Sequence, residues 1–355
     1  MPAKGNKDIK AIPVSGRLYF FGGDKMRKIS VFFVILFSFT VGVFATKVLT
    51  VYTYSSFIAG VGKQVAPVFE KLYDCKINFV SIDSGSLVAR LILERSHPEA
   101  DVVVGLSQSQ LPQVFKENLL EGYKPTDIAS VVNTSFLIDP QYRAIPFDYG
   151  ALAIDYNLKT VKNPPQTFEA LLDPQYAHSL VIEDPRTSTT GLDFLLWTIG
   201  LYGNNWQTYW RKLTPTIKTV TGGWDSAFQM IEDGEARMMV SFATDEAYNY
   251  YYYKGSDIGV TIPNGEAYVM VEYAGIVRGT KEYDLSKDFI NFMLSKDFQM
   301  AIPLNQWMYP VTDVPLPDVF IDHAPKITKT VSVSIDQIST SLSKWIAEWS
   351  SIIIK

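Results

Sequence analysis

Hydrophobic residues first gather into one uncharged run, 31–44, which follows Met26-Arg-Lys28 and ends in Val43-Phe-Ala45. A basic start, a short apolar stretch and small residues at a cleavage position predict a secretory signal peptide over 26–45, because the run is shorter than the roughly 20 apolar residues that a bilayer crossing needs. Met26 then reads as the natural start. Residues 1–25, a Gly/Lys mixture with no sustained apolar period, read as an extension from a mis-assigned start codon. Beyond Ala45 the period switches repeatedly. Residues 47–54 alternate as a strand, Val65, Val68, Phe69 and Leu72 recur at helical spacing, and 76–82 alternate again. Leu87 and Leu91 begin a further helix that runs to Arg95, and 101–105, Asp-Val-Val-Val-Gly, is the continuous apolar kind of strand that is buried on both faces.

A second series starts after Pro146-Phe-Asp-Tyr-Gly150. It comprises a strand at 151–156, a helix at 167–172, a strand at 179–182 and a helix from about 189. Helices at 206–213 and 224–231, strands at 217–220 and 237–242, and a long strand at 268–277 complete it. Residues 340–350 form an amphipathic helix whose Trp345 and Trp349 are assigned to packing. Strands alternating with helices predict an α/β fold with a largely parallel sheet. The roughly 310 residues beyond the signal exceed what one core usually supports, so two lobes are expected.

Charge and cysteine usage narrow the function. Of 32 basic and 37 acidic residues, seven and two precede Thr46, leaving 25 and 35. That acidic balance argues against a nucleic-acid partner and suits a protein that captures a cation. Cys75 stands alone, so no intramolecular disulfide forms, and His97, His178 and His323 fall in no metal-ligand spacing, which speaks against zinc or haem. No cysteine follows the apolar run, so the exported chain is expected free of a lipid anchor. There is no Gly-x-Ser-x-Gly, no Walker loop and no His-Glu-x-x-His.

The most informative stretch is Glu183-Asp-Pro-Arg-Thr-Ser-Thr-Thr-Gly191, between a strand and a helix. Thr187, Ser188, Thr189 and Thr190 sit where a helix exposes unpaired N–H groups, an arrangement that favours a phosphate or carboxylate and equally describes an N-cap cluster. In parallel sheets ligands bind beyond the carboxyl ends of strands, and the loops after Tyr52, Ile82, Gly105, Ile182 and Phe242 are such ends.

Together with Pro146-Phe-Asp-Tyr-Gly150, Asn163-Pro-Pro-Gln166, Gly222-Gly-Trp224 and Ala301-Ile-Pro-Leu-Asn-Gln-Trp-Met-Tyr-Pro310, this stretch resembles the periplasmic thiamine-binding proteins of bacterial ABC importers, over essentially the whole chain from Lys47 to Trp349. The resemblance implies a two-lobe periplasmic-binding-protein fold of type II, with a ligand cleft between lobes hinged on crossing strands near 146–150 and 266–272. It assigns 46–147 plus about 271–312 to an N-terminal lobe, 148–270 to a C-terminal lobe and 313–355 to a C-terminal helical segment. It implies a periplasmic, non-enzymatic protein without cofactor or metal. Its ligands would be thiamine and thiamine mono- and diphosphate, its partner an inner-membrane ABC permease.

The same resemblance supplies site residues. Asp83-Ser84-Gly85 matches an acidic residue followed by glycine; here Ser84 intervenes, so either the register shifts or a hydroxyl replaces the carboxylate, and an Asx cap of the next helix is the alternative. Ser188 and Thr189 match a hydroxyl pair for the phosphate or hydroxyethyl end, while Arg186 is structural. Trp224 matches a ligand-contacting tryptophan. Phe242-Ala243-Thr244-Asp245 aligns with a segment that usually opens on tyrosine, keeping the ring and losing its hydroxyl. Tyr248, Tyr54 and Trp307 match aromatic walls, and Gly60-Val61-Gly62 stands where a tryptophan is usual. Two rivals come from related folds. Tyr250 to Tyr253 would suit a ferric-iron carrier, but the iron-binding pair belongs nearer Thr244-Asp245; a thiaminase needs a nucleophilic cysteine, and Cys75 precedes its strand at the end away from the ligand edge.

Overall fold

In the computed structural model, whose described residues are 46–325 and 327–353, the strands are β1 (Lys47–Thr53), β2 (Cys75–Ser81), β3 (Val102–Ser107), β4 (Leu120–Glu121), β5 (Ile145–Asn157), β6 (Leu180–Glu183), β7 (Ile217–Thr221), β8 (Met238–Phe242), β9 (Ile258–Thr261), β10 (Ala267–Val277), β11 (Tyr309–Pro310) and β12 (Thr330–Val331). The expected extension and signal peptide lie outside the described residues. The main strand order is β2-β1-β3-β10-β5-β8-β6-β7. At one end β1 pairs in parallel with β2 and β3, and at the other β6 pairs in parallel with β7 and β8.

The centre departs from the expected parallel sheet. β10 and β5 run antiparallel to each other and to their outer neighbours β3 and β8. The physical reason is the length of β5. Its residues from Ile145 to Ala151 pair with β10, whereas those from Leu152 to Asn157 pair with β8 and β9, so one strand serves both ends of the sheet. A chain that passes from one lobe to the other and returns beside itself must pair antiparallel. β5 and β10 are thus the crossing strands, bonded from Val269↔Ala151 to Ala274↔Ile145.

Each end carries helices on both faces. All six residues of β3 are buried, as an apolar parallel strand should be. Leu87, Leu91, Val103 and Leu106 form a core on one face of the first lobe, and Val181, Ala227, Ile231 and Met239 a counterpart in the second. The helix Thr189–Tyr202 is buried from Thr189 to Ile199 and lacks a polar stripe, which is why its run reads as uniformly apolar.

The helix expected over 167–172 is only a 3-10 turn, Ala170–Leu172, opened by Thr167 Oγ1 accepting from the Ala170 N–H at 3.0 Å. Pro164-Pro165 before it and Asp173-Pro174 after it leave no room for a longer helix. The C-terminal helix is longer than expected, Ile335–Ile353. Its Trp349 is fully buried, edge-on to Trp210 with ring centroids 5.8 Å apart, and Gln207 Nε2 donates to Glu348 at 3.0 Å.

Candidate ligand-binding cleft

Strand ends from both lobes converge on one cleft. Tyr54 follows β1, Ile82 to Ser84 follow β2, Thr187, Thr189 and Thr190 follow β6, Trp224 follows β7 and Asp245 follows β8; Met270 and Glu272 rise from β10, and Asn305 to Met308 close one wall. The space is about 950 Å³ including its open mouth, the scale of a small-molecule site.

The two sides touch. Ser84 Oγ accepts from the backbone N–H of Thr189 at 3.2 Å and from its hydroxyl at 3.0 Å. The Gly85 N–H donates to the Thr187 carbonyl at 3.0 Å, and the Ser55 hydroxyl donates to the Asp225 carboxylate. A Cβ on Gly85 would stand 2.3 Å from the Thr187 carbonyl carbon, so this contact requires glycine. The lobes are therefore closed. Ser188 Oγ accepts from the Gly191 N–H at 3.2 Å and acts as the N-cap of the helix it begins.

Aromatic rings make a continuous wall. The Trp224 and Phe228 rings stack at 4.6 Å, and Tyr248 stands edge-on between Phe228 at 5.5 Å and Trp307 at 5.2 Å. The Trp224 Nε1–H donates to Ser241 Oγ at 2.8 Å, and Ser241 donates to the Asp245 carboxylate, which fixes the indole. Trp307 caps its helix with φ of 58°, a left-handed conformation uncommon for a bulky residue, and stacks on Phe320 at 5.8 Å. Opposite, the Tyr54 hydroxyl donates to Glu272 at 2.6 Å and accepts from Gln306 Nε2 at 2.7 Å. Gly105, at φ of 96°, offers the Tyr54 ring a bare backbone; a Cβ there would lie 2.3 Å from the ring.

Buried carboxyl groups surround these walls. Glu272 and Asp148 face each other in register across β10 and β5 and are 2 % and 0 % exposed. Burial pushes both acids up: Asp148 rises well above its ordinary value, with the charge of Glu272 adding to the effect, and Glu272 rises to about 7, held back by hydrogen bonds from Tyr54 and Asp148. As a carboxylate Asp148 has no hydrogen-bond partner; protonated, it donates to Glu272, so the pair holds one proton between them. Asp155 and Asp245 repeat the arrangement behind the aromatic wall, both raised by burial, with Ser241 and Asp155 hydrogen bonds moderating Asp245. Asp83 and Asp225 lie exposed at the rim, and among the described residues no Lys, Arg or His lines the cleft. The geometry suits a flat cation: rings for stacking, and acids that gain from a positive charge beside them.

Residues 64–328 match the model of the bacterial extracellular solute-binding proteins. The chain belongs to that family. Among its relatives, the thiamine-binding periplasmic protein of Salmonella typhimurium is 36 % identical over 86 % of this chain and 93 % of its own, and that of Brucella melitensis 34 % identical over 85 % and 90 %. A solved periplasmic thiamin binding protein superposes with a TM-score of 0.81 at 33 % identity, covering 87 % of this chain and 97 % of its own. This solute-binding protein is thus a periplasmic binding protein in fold and not an enzyme.

Of the residues named from the sequence of this binding protein, Tyr54, Asp83, Ser84, Thr189, Trp224, Phe242, Asp245, Tyr248 and Trp307 line the cleft. Ser188, Gly85, Ala243 and Thr244 do not. Ser188 is turned into its own helix as the cap, Gly85 contributes backbone to the lobe contact, and Ala243 and Thr244 are buried beneath the β8 turn. Thr189 meets Ser84 across the cleft, and Arg186 is forked onto Asp184 at 2.9 and 3.0 Å. Tyr250 to Tyr253 lie on the helix Asp245–Tyr253 without lining the cleft, and Tyr250 stacks on His323. Cys75 is buried at the first residue of β2, paired with Lys47, at the opposite end of that strand from the cleft, and burial raises its thiol. Sequence reasoning missed Glu272, Gln306, Met270 and Asp225. A lone acid inside the apolar run 268–277 was the available signal for Glu272, and Gln306 sits within the quoted Asn-Gln-Trp-Met segment.

Proposed function

We propose that this protein captures thiamine in the periplasm by closing its two lobes and hands it to an inner-membrane ABC permease. Thiamine joins a flat aminopyrimidine to a permanently cationic thiazolium that carries a hydroxyethyl arm. Trp224, Phe228, Tyr248 and Trp307 supply faces and edges for the rings, Asp245 is an acceptor for the amino group, and Glu272 with Asp148 is the counter-charge for the cation. One desolvated cation over a ring contributes about 2 kcal/mol, whereas nanomolar affinity needs about 12 kcal/mol, so stacking, charge and hydrogen bonds must act together. The observation that carries the reading is the pairing of that aromatic wall with buried acids and, among the described residues, no basic lining residue.

Closure follows from where the groups lie. A ligand favours the closed form only through contacts that the open form lacks, and here Tyr54 and Asp83 come from one lobe while Thr189, Trp224 and Tyr248 come from the other. Isothermal titration of the chain from Thr46, refolded to strip ligand, tests the proposal with thiamine, and with its mono- and diphosphate as competitors. Tight one-to-one binding of thiamine is expected; no heat with any of the three would overturn it.

A further inference from the structure

We infer that Asp155, a fully buried acid on the crossing strand β5, is a positioning residue for the ligand: it holds Asp245 as the acceptor that selects an amino group over an oxo group on the pyrimidine ring, an inference that rests on the thiamine reading and deepens it. Asp155 lies in register with Met239 of β8 and Val260 of β9, and Ala153, two residues before it, lies in register with Ser241. Side chains of a strand alternate between faces, so Asp155 and Ser241 share one face of the sheet. On that face a polar chain runs to the cleft. The Trp224 Nε1–H donates to Ser241 Oγ at 2.8 Å, and Asp245 accepts from the Ser241 hydroxyl and from the Phe242 N–H at 3.3 Å. Asp155 stands at the far end. As a carboxylate it has no hydrogen-bond partner among the described residues; protonated, it donates to Asp245.

Packing gives no reason for an acid there. Its neighbours in register are apolar, the nearby charges of Asp245, Glu183 and Glu246 all oppose its ionisation, and an apolar side chain of similar size would meet no such cost. Function does give a reason. Asp245 is itself buried, and a buried carboxyl group deprived of donors takes up a proton. It would then present an O–H to the cleft, which leaves the amino N–H of an aminopyrimidine without an acceptor and suits a ring carbonyl instead. With the proton kept on Asp155, the Ser241 hydroxyl, the Phe242 N–H and the Asp155 O–H all donate to Asp245 from the protein, and Asp245 faces the cleft as an acceptor. A site built for one hydrogen bond rejects the analogue that cannot make it.

The test is titration calorimetry of the ligand-free chain near neutral pH with thiamine and with oxythiamine, in which a ring carbonyl replaces the amino group. The parent should favour thiamine at least about tenfold. Asp155→Leu and Asp155→Val remove the donor with side chains that a strand tolerates; in each the preference should shrink about tenfold, through weaker thiamine binding, while the melting temperature holds or rises. Asp155→Asn keeps a donor for Asp245 and should restore the parental preference to within about threefold. A merely structural Asp155 would instead lower the melting temperature and weaken both ligands alike. A preference unchanged in a folded apolar variant, or absent in the parent, would overturn the inference and leave the thiamine reading standing. So would a loss in Asp155→Asn equal to that in the apolar variants, because it would refute the donor role. A parent that binds neither ligand would overturn both.

Discussion

Gly85→Ala offers the most direct perturbation of closure. The added methyl would meet the Thr187 carbonyl carbon at 2.3 Å, the Ser188 nitrogen at 2.6 Å and the Thr187 oxygen at 2.7 Å, all of them backbone, so no side-chain rotation relieves it. Closure in the parent makes three hydrogen bonds at this point, from the Gly85 N–H, the Thr189 N–H and the Thr189 hydroxyl. At about 1 kcal/mol net apiece they sum to about 3 kcal/mol, which the variant forfeits before any clash is counted. A ligand that binds only the closed form then loses affinity by the factor by which that form is depopulated, about 100-fold. The open form has no such crowding, and Gly85 has no positive φ that alanine would resist, so the thermal stability of the ligand-free protein should hold. Titration calorimetry with thiamine reads the affinity, and solution scattering with and without ligand reads compaction. Thiamine affinity within about threefold of the parent, with normal compaction, would refute the claim that this contact governs closure.

Trp224→Ala removes the ring stacked on Phe228 and should weaken thiamine binding at least tenfold, about 1.4 kcal/mol or more, by calorimetry; unchanged binding would remove the indole from the site. Trp349→Ala empties a fully buried position against Trp210 and should cost about 3–5 kcal/mol in urea unfolding while leaving thiamine affinity intact, because the C-terminal helix contributes nothing to the cleft lining. The melting temperature of the ligand-free protein should fall as pH rises from 5 to 8. Asp148, Asp155, Glu183, Asp193, Asp245 and Glu272 all hold their protons to higher pH when folded, chiefly through burial. The unfolded chain releases those protons above its ordinary carboxyl range, so stability present at low pH is lost as pH climbs, by about 1.4 kcal/mol per pH unit for each proton retained. A melting temperature that rises over that interval would contradict these assignments. The acids that arginines hold down, Asp139 and Asp184, act in the opposite sense only at more acid pH.

Elements whose burial is one-sided or total were legible in the sequence. β3 shows as a continuous apolar run, and the helix Lys63–Tyr73 as a stripe with Val65 and Phe69 inward. Strand direction was not legible, because alternation marks a strand without naming its neighbour; only the length of β5, and its change of partners at Ala151 and Leu152, makes the centre antiparallel. The site divides in the same way. Residues just beyond strand ends were reached from motif and position, and Tyr54, Trp224 and Asp245 line the cleft. The pairing of Glu272 with Asp148 was out of reach, since each shows in the sequence only as a charge within an apolar pattern, and what joins them is the register of two strands far apart in sequence.

That register also bears on function. Two acids pressed together without a base lower the stability of the empty protein at neutral pH, so packing alone gives no reason to place them there. A cation against Glu272 would reverse the balance, favouring ionisation of the pair and expelling its shared proton. Thiamine binding should therefore release protons, with an affinity that declines as pH falls through about 7, where Glu272 becomes neutral. Calorimetry in buffers of differing ionisation enthalpy counts those protons. Binding heats that are independent of buffer in the parent would detach the pair from the ligand. In Glu272→Gln, buffer dependence should vanish together with most of the pH dependence, whereas a merely structural role for this side chain would lower stability and leave the proton count unchanged.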